Sequence, residues 1–257
     1  MKLTVLAENT ACREGVTAQH GLSLYIETGD KKILFDMGQT DAFAKNAELL
    51  GADLSQVDLA VLSHGHYDHG GGLETFLRIN AAAPVYVHES AWDAYYNGTE
   101  KYIGLDPKLR QHPRLFFIKG ERKLSDHLLL SDCNALGWHS EPWGLNRREG
   151  DAFLPDDFRH EQYLEIKEGS RRILISGCSH KGIVNISHHF RPDVLIGGFH
   201  LNKLKDPEEL KAIAERLLSS NTVYYTGHCT GEEQFALMKE SMGDRLRILS
   251  TGLTLEI

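Results

Sequence analysis

One segment limits what this chain can become more than any other: LSHGHYDHGGGL, residues 62–73. It sets His64, His66, Asp68 and His69 within six residues, just past the apolar run VDLAVLS and just before three glycines. A short apolar run of that kind reads as a strand buried within a sheet. In an extended segment, side chains two apart face one side, so His64 and His66 share a direction. Asp68 and His69 then turn away, and Gly70, Gly71 and Gly72 let the backbone bend sharply. Three imidazoles and a carboxylate suit zinc or iron, and manganese where more oxygen is supplied. Four ligands this close do not readily close around one ion, so the spacing points to two adjacent metals. A merely His-rich surface loop would not need strand end, glycines and alternating ligands to coincide.

Composition narrows the setting. With 257 residues, 41% hydrophobic and 25% charged, the chain reads as soluble and globular, and long enough for a sizeable core. A net charge of −8 argues against nucleic acid or an anionic membrane as main partner. It does not exclude a small anionic substrate, because a local metal charge outweighs a distant net charge. No run of 18 apolar residues exists, and MKLTVLAENTACREG lacks an apolar signal core, so no membrane span or leader is expected. Cys12, Cys133, Cys178 and Cys229 stand far apart without a CxxC pair. A disulfide framework or zinc ribbon is therefore not expected, and the reading is cytoplasmic.

LTVLAE, LSLYIE and KKILFDMG read as three strands, followed by a helix over AFAKNAELL, capped by Thr40 or Asp41 and stopped by Gly51. After VDLAVLS come a helix over LETFLRIN, a strand PVYVH and a helix near ESAWDAYY. Residues 97–158 are aromatic, charged and weakly periodic, and read as an insertion or flap with two or three strands of its own. QYLEIKEGSRRILISG is expected to be a hairpin turning at Glu168 and Gly169. A helix over GIVNISHHF, a strand DVLIGG and a helix opened by Asp206-Pro207 follow. NTVYYTG, a helix over EEQFALMKES, RLRILST and LTLEI finish the chain. Strands meander first and alternate with helices later, in both halves, which fits two packed sheets with helices outside them.

HxHxDH after a strand resembles the signature of the metallo-β-lactamase superfamily. The resemblance implies an α+β, four-layer αββα sandwich over residues 1–257, one domain with the insertion at about 97–158. HGLSLYIE, ILFDMG, ISGCSHKGIVNI, IGGFHL and TGHCTG extend the likeness to the branch similar to the archaeal 7,8-dihydropterin-6-methyl-4-(β-D-ribofuranosyl)aminobenzene-5′-phosphate synthase. His180, past the strand RILIS, and His228, past VYYT, occupy turns of the kind that supply later ligands in the superfamily. The metal set so implied is His64, His66, Asp68, His69, His180 and His228. Where the superfamily carries a bridging aspartate, this chain has Cys178. Either Cys178 supplies a thiolate, or His180 reaches in and water alone bridges. His160, 18 residues earlier, and Glu161 are further candidates. Asp36 resembles the acidic residue behind the metals and would accept a hydrogen bond from a ligating imidazole.

Two divalent ions, zinc first and iron or manganese next, would activate water. The reading is a metal-dependent hydrolase acting on a small phosphoester, with Asp68 orienting the nucleophile and His200 as general acid. The alternatives are a pterin-type transferase displacing pyrophosphate and a non-catalytic metal-containing binding protein. Trp92, Tyr95, Tyr96, Tyr102, Trp138, Trp143, Arg147 and Arg148 would suit an aromatic, phosphorylated ligand, but they are also what an ordinary covering flap or a contact between copies in a homo-oligomer would contain, and that plainer reading is preferred.

Overall fold

The computed structural model describes residues 1–138 and 141–257. In chain order its strands are β1 (Lys2–Ala7), β2 (Ser23–Glu27), β3 (Lys32–Phe35), β4 (Leu59–Val61), β5 (Val85–His88), β6 (Ala94–Asn97), β7 (Lys101–Tyr102), β8 (Leu115–Ile118) and β9 (Glu121–Lys123). Then come β10 (Leu128–Ser131), β11 (Leu145–Glu149), β12 (Ala152–Pro155), β13 (Tyr163–Glu168), β14 (Arg171–Ile175), β15 (Val194–Ile196), β16 (Val223–Thr226), β17 (Leu246–Ile248) and β18 (Thr254–Glu256). The helices are α1 (Ala42–Leu50), α2 (Tyr67–Gly70), α3 (Leu73–Ile79), α4 (Ile183–Phe190), α5 (Pro207–Leu217) and α6 (Glu232–Met242).

Two seven-stranded sheets carry the fold, ordered β18-β1-β2-β3-β4-β5-β8 and β17-β16-β15-β14-β13-β10-β9. Period-2 alternation decides which face each residue takes. Ile33 and Phe35 point inward to meet Ile173 and Ile175 of the other sheet, while Leu34 points out to Phe43 and Phe76 under α1 and α3. Leu174 likewise points outward, beneath α4, α5 and α6. The result is helix, sheet, sheet, helix, as expected for an αββα sandwich. β4 is apolar throughout because it is covered on both faces.

Local signals account for several element ends. Gly51 closes α1 in the left-handed region at φ 73°. The Asp206 carboxylate accepts from the Glu208 amide at 3.0 Å, with Pro207 opening α5. β13 and β14 form the expected hairpin, with Gly169 at φ 62°.

The helix expected near ESAWDAYY is not formed. Residues 89–93 are turns, and Ala94–Asn97 is a strand. Tyr95 and Tyr96 are strand formers, and they pair with Arg147 and Asn146 of β11. Tyr95 is fully buried, stacked on His160 at 3.9 Å between ring centroids. Residues 97–158 also hold more strands than the two or three expected. β8 extends one main sheet, β9 and β10 extend the other, and β7, β11 and β12 join β6 in a third.

Candidate metal centre

The strands β3, β4, β14, β15 and β16 run parallel within their sheets where they neighbour one another. Their carboxyl ends therefore meet along one edge, where ligand sites of α/β sheets collect. Asp36 follows β3, His64 follows β4, Cys178 and His180 follow β14, His200 follows β15 and His228 follows β16. Asp36, Ser179, His200 and His228 all hold positive φ, between 50° and 60°. Such backbones cost about 1–3 kcal/mol each and persist where surrounding contacts impose them. Close approach is built in as well. A Cβ on Gly71 would lie 2.2 Å from the Gln39 carbonyl oxygen, and one on Gly177 would lie 2.2 Å from Ser63 Oγ.

Hydrogen bonds fix the tautomers of three histidines. His69 Nδ1 donates to Asp36 Oδ2 at 2.7 Å. Ser63 Oγ spends its one proton on the same carboxylate oxygen, also at 2.7 Å, so it accepts from His64 Nδ1 at 2.8 Å. His228 Nδ1 donates to Asn9 Oδ1 at 3.0 Å, while the Asn9 amide donates to the His228 carbonyl. The Nε2 atoms of His64, His69 and His228 are thereby left with lone pairs. Yet His69 Nε2 and His228 Nε2 stand 3.1 Å apart. Two lone pairs at that distance require positive charge between them.

A proton can supply it. Burial pulls the His69 pKa down, but Asp36 and Asp68 more than reverse that and push it up to about 9. A divalent ion in the same gap would supply more charge. His64 and His180 are driven the other way, well below the usual histidine range, by burial first and then by neighbouring imidazoles, His69 foremost for His64 and His200 foremost for His180. They are held neutral, the form in which imidazole binds metal. Burial raises the Cys178 thiol, with Cys229 adding to it. A coordinating ion would nonetheless deprotonate it.

Among the described residues, four groups have the compactness a metal needs, three of them overlapping, with the ligand atoms of each group lying within 4.8 Å of one another. They are His64, Cys178 and His180; His69, Cys178 and His228; His20, Asp68 and His228; and His66, Asp156 and His160. Burial would raise Asp68, but His69, the hydrogen bond from His20 and the nearby His228 imidazole hold it well below the usual carboxylate range. Its Oδ2 lies 3.2 Å from His20 Nε2 and 3.4 Å from His228 Nε2. His66 Nε2 is buried with no hydrogen-bond partner among the described residues, 3.8 Å from Asp156 Oδ2.

All six residues expected as ligands thus stand at one edge, five of them in the three groups that share Cys178 or His228, and His66 beside Asp156. His160 has both nitrogens engaged: Nδ1 accepts from the Gly65 amide at 2.8 Å, and Nε2 donates to Asp156 at 3.1 Å. Glu161 accepts from the His180 and Lys181 amides and from the Tyr163 hydroxyl, so it braces the His180 turn. Asp36 stands behind His69, where the sequence puts it. His20, Asp156 and Glu8 were not singled out by sequence. Glu8 accepts from the His228 amide and from Thr10. His20 alone had a signal, its place in HGLSLYIE before β2.

A cavity of about 160 Å³ opens over these groups, lined by Asp68, Cys178, His180 and His228 together with Lys101 and Lys203. A second, of about 330 Å³, shares His180 and His200 with it and runs past Trp143, Ile183 and Arg216. Both ring nitrogens of His200 lack hydrogen-bond partners among the described residues. His88 lies elsewhere, paired with Asp132 at 3.1 Å.

A family model described as the metallo-beta-lactamase superfamily matches residues 16–198. An uncharacterized protein of Methanocaldococcus jannaschii is 30% identical over 89% of this chain and 90% of its own. The 7,8-dihydropterin-6-methyl-4-(beta-D-ribofuranosyl)-aminobenzene-5′-phosphate synthase of the same organism is 28% identical, covering 98% of this chain and 95% of its own. Among solved structures, Tm1679, described as a metal-dependent hydrolase of the beta-lactamase superfamily, superposes with a TM-score of 0.82 at 28% identity, covering 100% of this chain and 99% of that one.

Proposed function

The chain belongs to the metallo-beta-lactamase superfamily, and from that membership and the edge geometry we propose that it is a hydrolase dependent on two divalent ions, acting with water on a small phosphoester. The observation that carries this reading is the opposed pair His69 and His228, whose Nε2 atoms face each other while Asp36 and Asn9 hold their other nitrogens. His64 and His180 would hold one ion, with His66 beside them. Asp68, His69 and His228 would hold the other. Zinc suits this donor set first, iron or manganese next.

Bound divalent ions would supply hydroxide near neutral pH, because they lower the pKa of water from about 15.7 to about 7. Asp68, kept ionised, accepts a hydrogen bond and so orients the attacking water. His200 is the general acid: its ring stands 4.1 Å from that of His180, and it lines the cavity over the candidate ligands. Lys101 and Lys203 line the cavity mouth and place positive charge where a phosphoryl group would enter. The small cavity favours a small substrate. No helix among the described residues is long and apolar enough to cross a membrane.

The test is metal content by inductively coupled plasma mass spectrometry, beside a His66→Ala, Asp68→Ala double variant, followed by a screen of phosphoesters. About two ions per chain and turnover that the double variant loses are expected. Near-zero metal after incubation with zinc, manganese and iron would end the catalytic reading and leave a binding protein.

A second reading is transferase chemistry, favoured by the synthase relative that aligns over 98% of this chain. Pyrophosphate release dependent on an added dihydropterin diphosphate would select it over hydrolysis.

A further inference from the structure

We infer that Cys178 is a thiolate bridge between the two ions, and that the centre therefore selects thiophilic metals. This rests on the two-ion reading above and deepens it. Cys178 is the one residue present in both the His64–His180 group and the His69–His228 group among the described residues. Its Sγ lies 3.1 Å from His69 Nε2, on the side where His69 carries its lone pair. From bond lengths of about 2.0 Å to nitrogen and 2.3 Å to sulfur, two ligands of one tetrahedral ion lie about 3.3 Å apart for two nitrogens and about 3.5 Å for nitrogen and sulfur. The two nitrogen pairs are of that size, 3.1 Å for His69 and His228 and 3.4 Å for His64 and His180, while Cys178 Sγ, at 3.1 Å from His69 Nε2, stands about 0.4 Å inside it, so an entering ion would spread that pair slightly.

The backbone holds the sulfur in that place. Ser179 takes a φ of 57°, and its hydroxyl is tied to that of Ser176 at 2.8 Å. The Gly177 carbonyl accepts from the Gly198 amide at 2.8 Å, and Gly177 itself packs against Ser63 too closely for a side chain. A thiol donating to His69 would explain one contact and leave the His64–His180 group unexplained. Cys229 is no substitute. Its sulfur contacts the His200 amide at 3.3 Å and the Cys178 carbonyl at 3.6 Å, and it belongs to neither group.

A bridging thiolate is a softer donor than a carboxylate. It favours zinc, ferrous iron or cobalt over magnesium and manganese. The test is titration of metal-free protein with cobalt(II), following thiolate-to-cobalt charge-transfer absorption while mass spectrometry counts bound metal. Bridging predicts that the band keeps growing through the second equivalent, disappears in Cys178→Ser and survives in Cys229→Ser. Cys178→Asp, which restores a donor, should bind two ions without the band, guarding against a serine variant that fails to fold. Two ions with no thiolate band, or a band complete after the first equivalent, would overturn the bridge and leave the two-ion reading standing. Fewer than two ions in the unaltered protein would overturn both.

Discussion

Asp36 and His69 are both fully buried, and their Oδ2 and Nδ1 atoms meet at 2.7 Å. The same carboxylate accepts from the Ser63 amide and hydroxyl. One acid thus fixes the ring of His69 directly and that of His64 through Ser63, setting two lone pairs at the edge. Asp36→Asn should keep most of the shape but deliver an N–H where an acceptor is needed. Zinc affinity measured by chelator competition should fall by about 10- to 100-fold. Unchanged affinity would mean that Asp36 serves the fold alone.

Ions that bind the folded chain and not the unfolded one stabilise it by mass action. At free zinc about 100 times the dissociation constant, the gain is about 2.7 kcal/mol. A chelator should therefore lower the thermal unfolding midpoint of the unaltered protein. His69→Ala with His228→Ala, which leaves the His64 and His180 group in place, should show a clearly smaller chelator shift than the unaltered protein. A full chelator shift in that variant would place the stabilising ion elsewhere.

The candidate centre was legible in sequence where its proposed donors cluster along the chain. His64, His66, Asp68 and His69 carry their spacing in one segment, and His180 and His228 each follow an apolar strand. What stayed hidden is contact across the chain. His20 reaches Asp68 over 48 positions, and Asn9 reaches His228 over 219. Nothing local in either residue announces those partners. His160 fits a ligand by spacing, yet its Nδ1 accepts from the Gly65 amide, 95 residues away. The helix wrongly expected near Tyr95 failed for a related reason. Apolar spacing there fits either element, and pairing with β11 decided it.

Away from the centre, Asp132 offers a pH test. Burial would raise its carboxyl, but the hydrogen bonds from His88 and from the Asn134 and Gly120 amides hold it well below the usual range. A carboxyl depressed in the folded state contributes stability that is whole above the ordinary aspartate value of about 3.9 and is lost as pH falls through the lower folded value. Asp132→Asn should cost about 1–3 kcal/mol at pH 7 in urea unfolding. The gap to the unaltered protein should narrow as pH drops below about 4, with chelator present throughout so that metal loss does not intrude. A gap independent of pH would show that the ionised form is not what stabilises.

Gly177 tests whether the two halves of the centre are locked together. It sits on the β14 side, and a Cβ there would lie 2.2 Å from Ser63 Oγ and 3.1 Å from His64 Nδ1, both on the β4 side. Neither neighbour can yield freely, because Ser63 is bonded to Asp36 and His64 to Ser63. Gly177→Ala should therefore destabilise by about 1–3 kcal/mol through overpacking. It should also push the Cys178 turn away from His64 and weaken metal binding more than the stability loss alone explains. Gly169→Ala is the control, since its hairpin turn has nothing within 4 Å and lies far along β14 from the edge. That control should lose stability through its positive φ yet keep its metal. If Gly177→Ala likewise kept full metal affinity, the two halves would be adjoining but not mutually dependent.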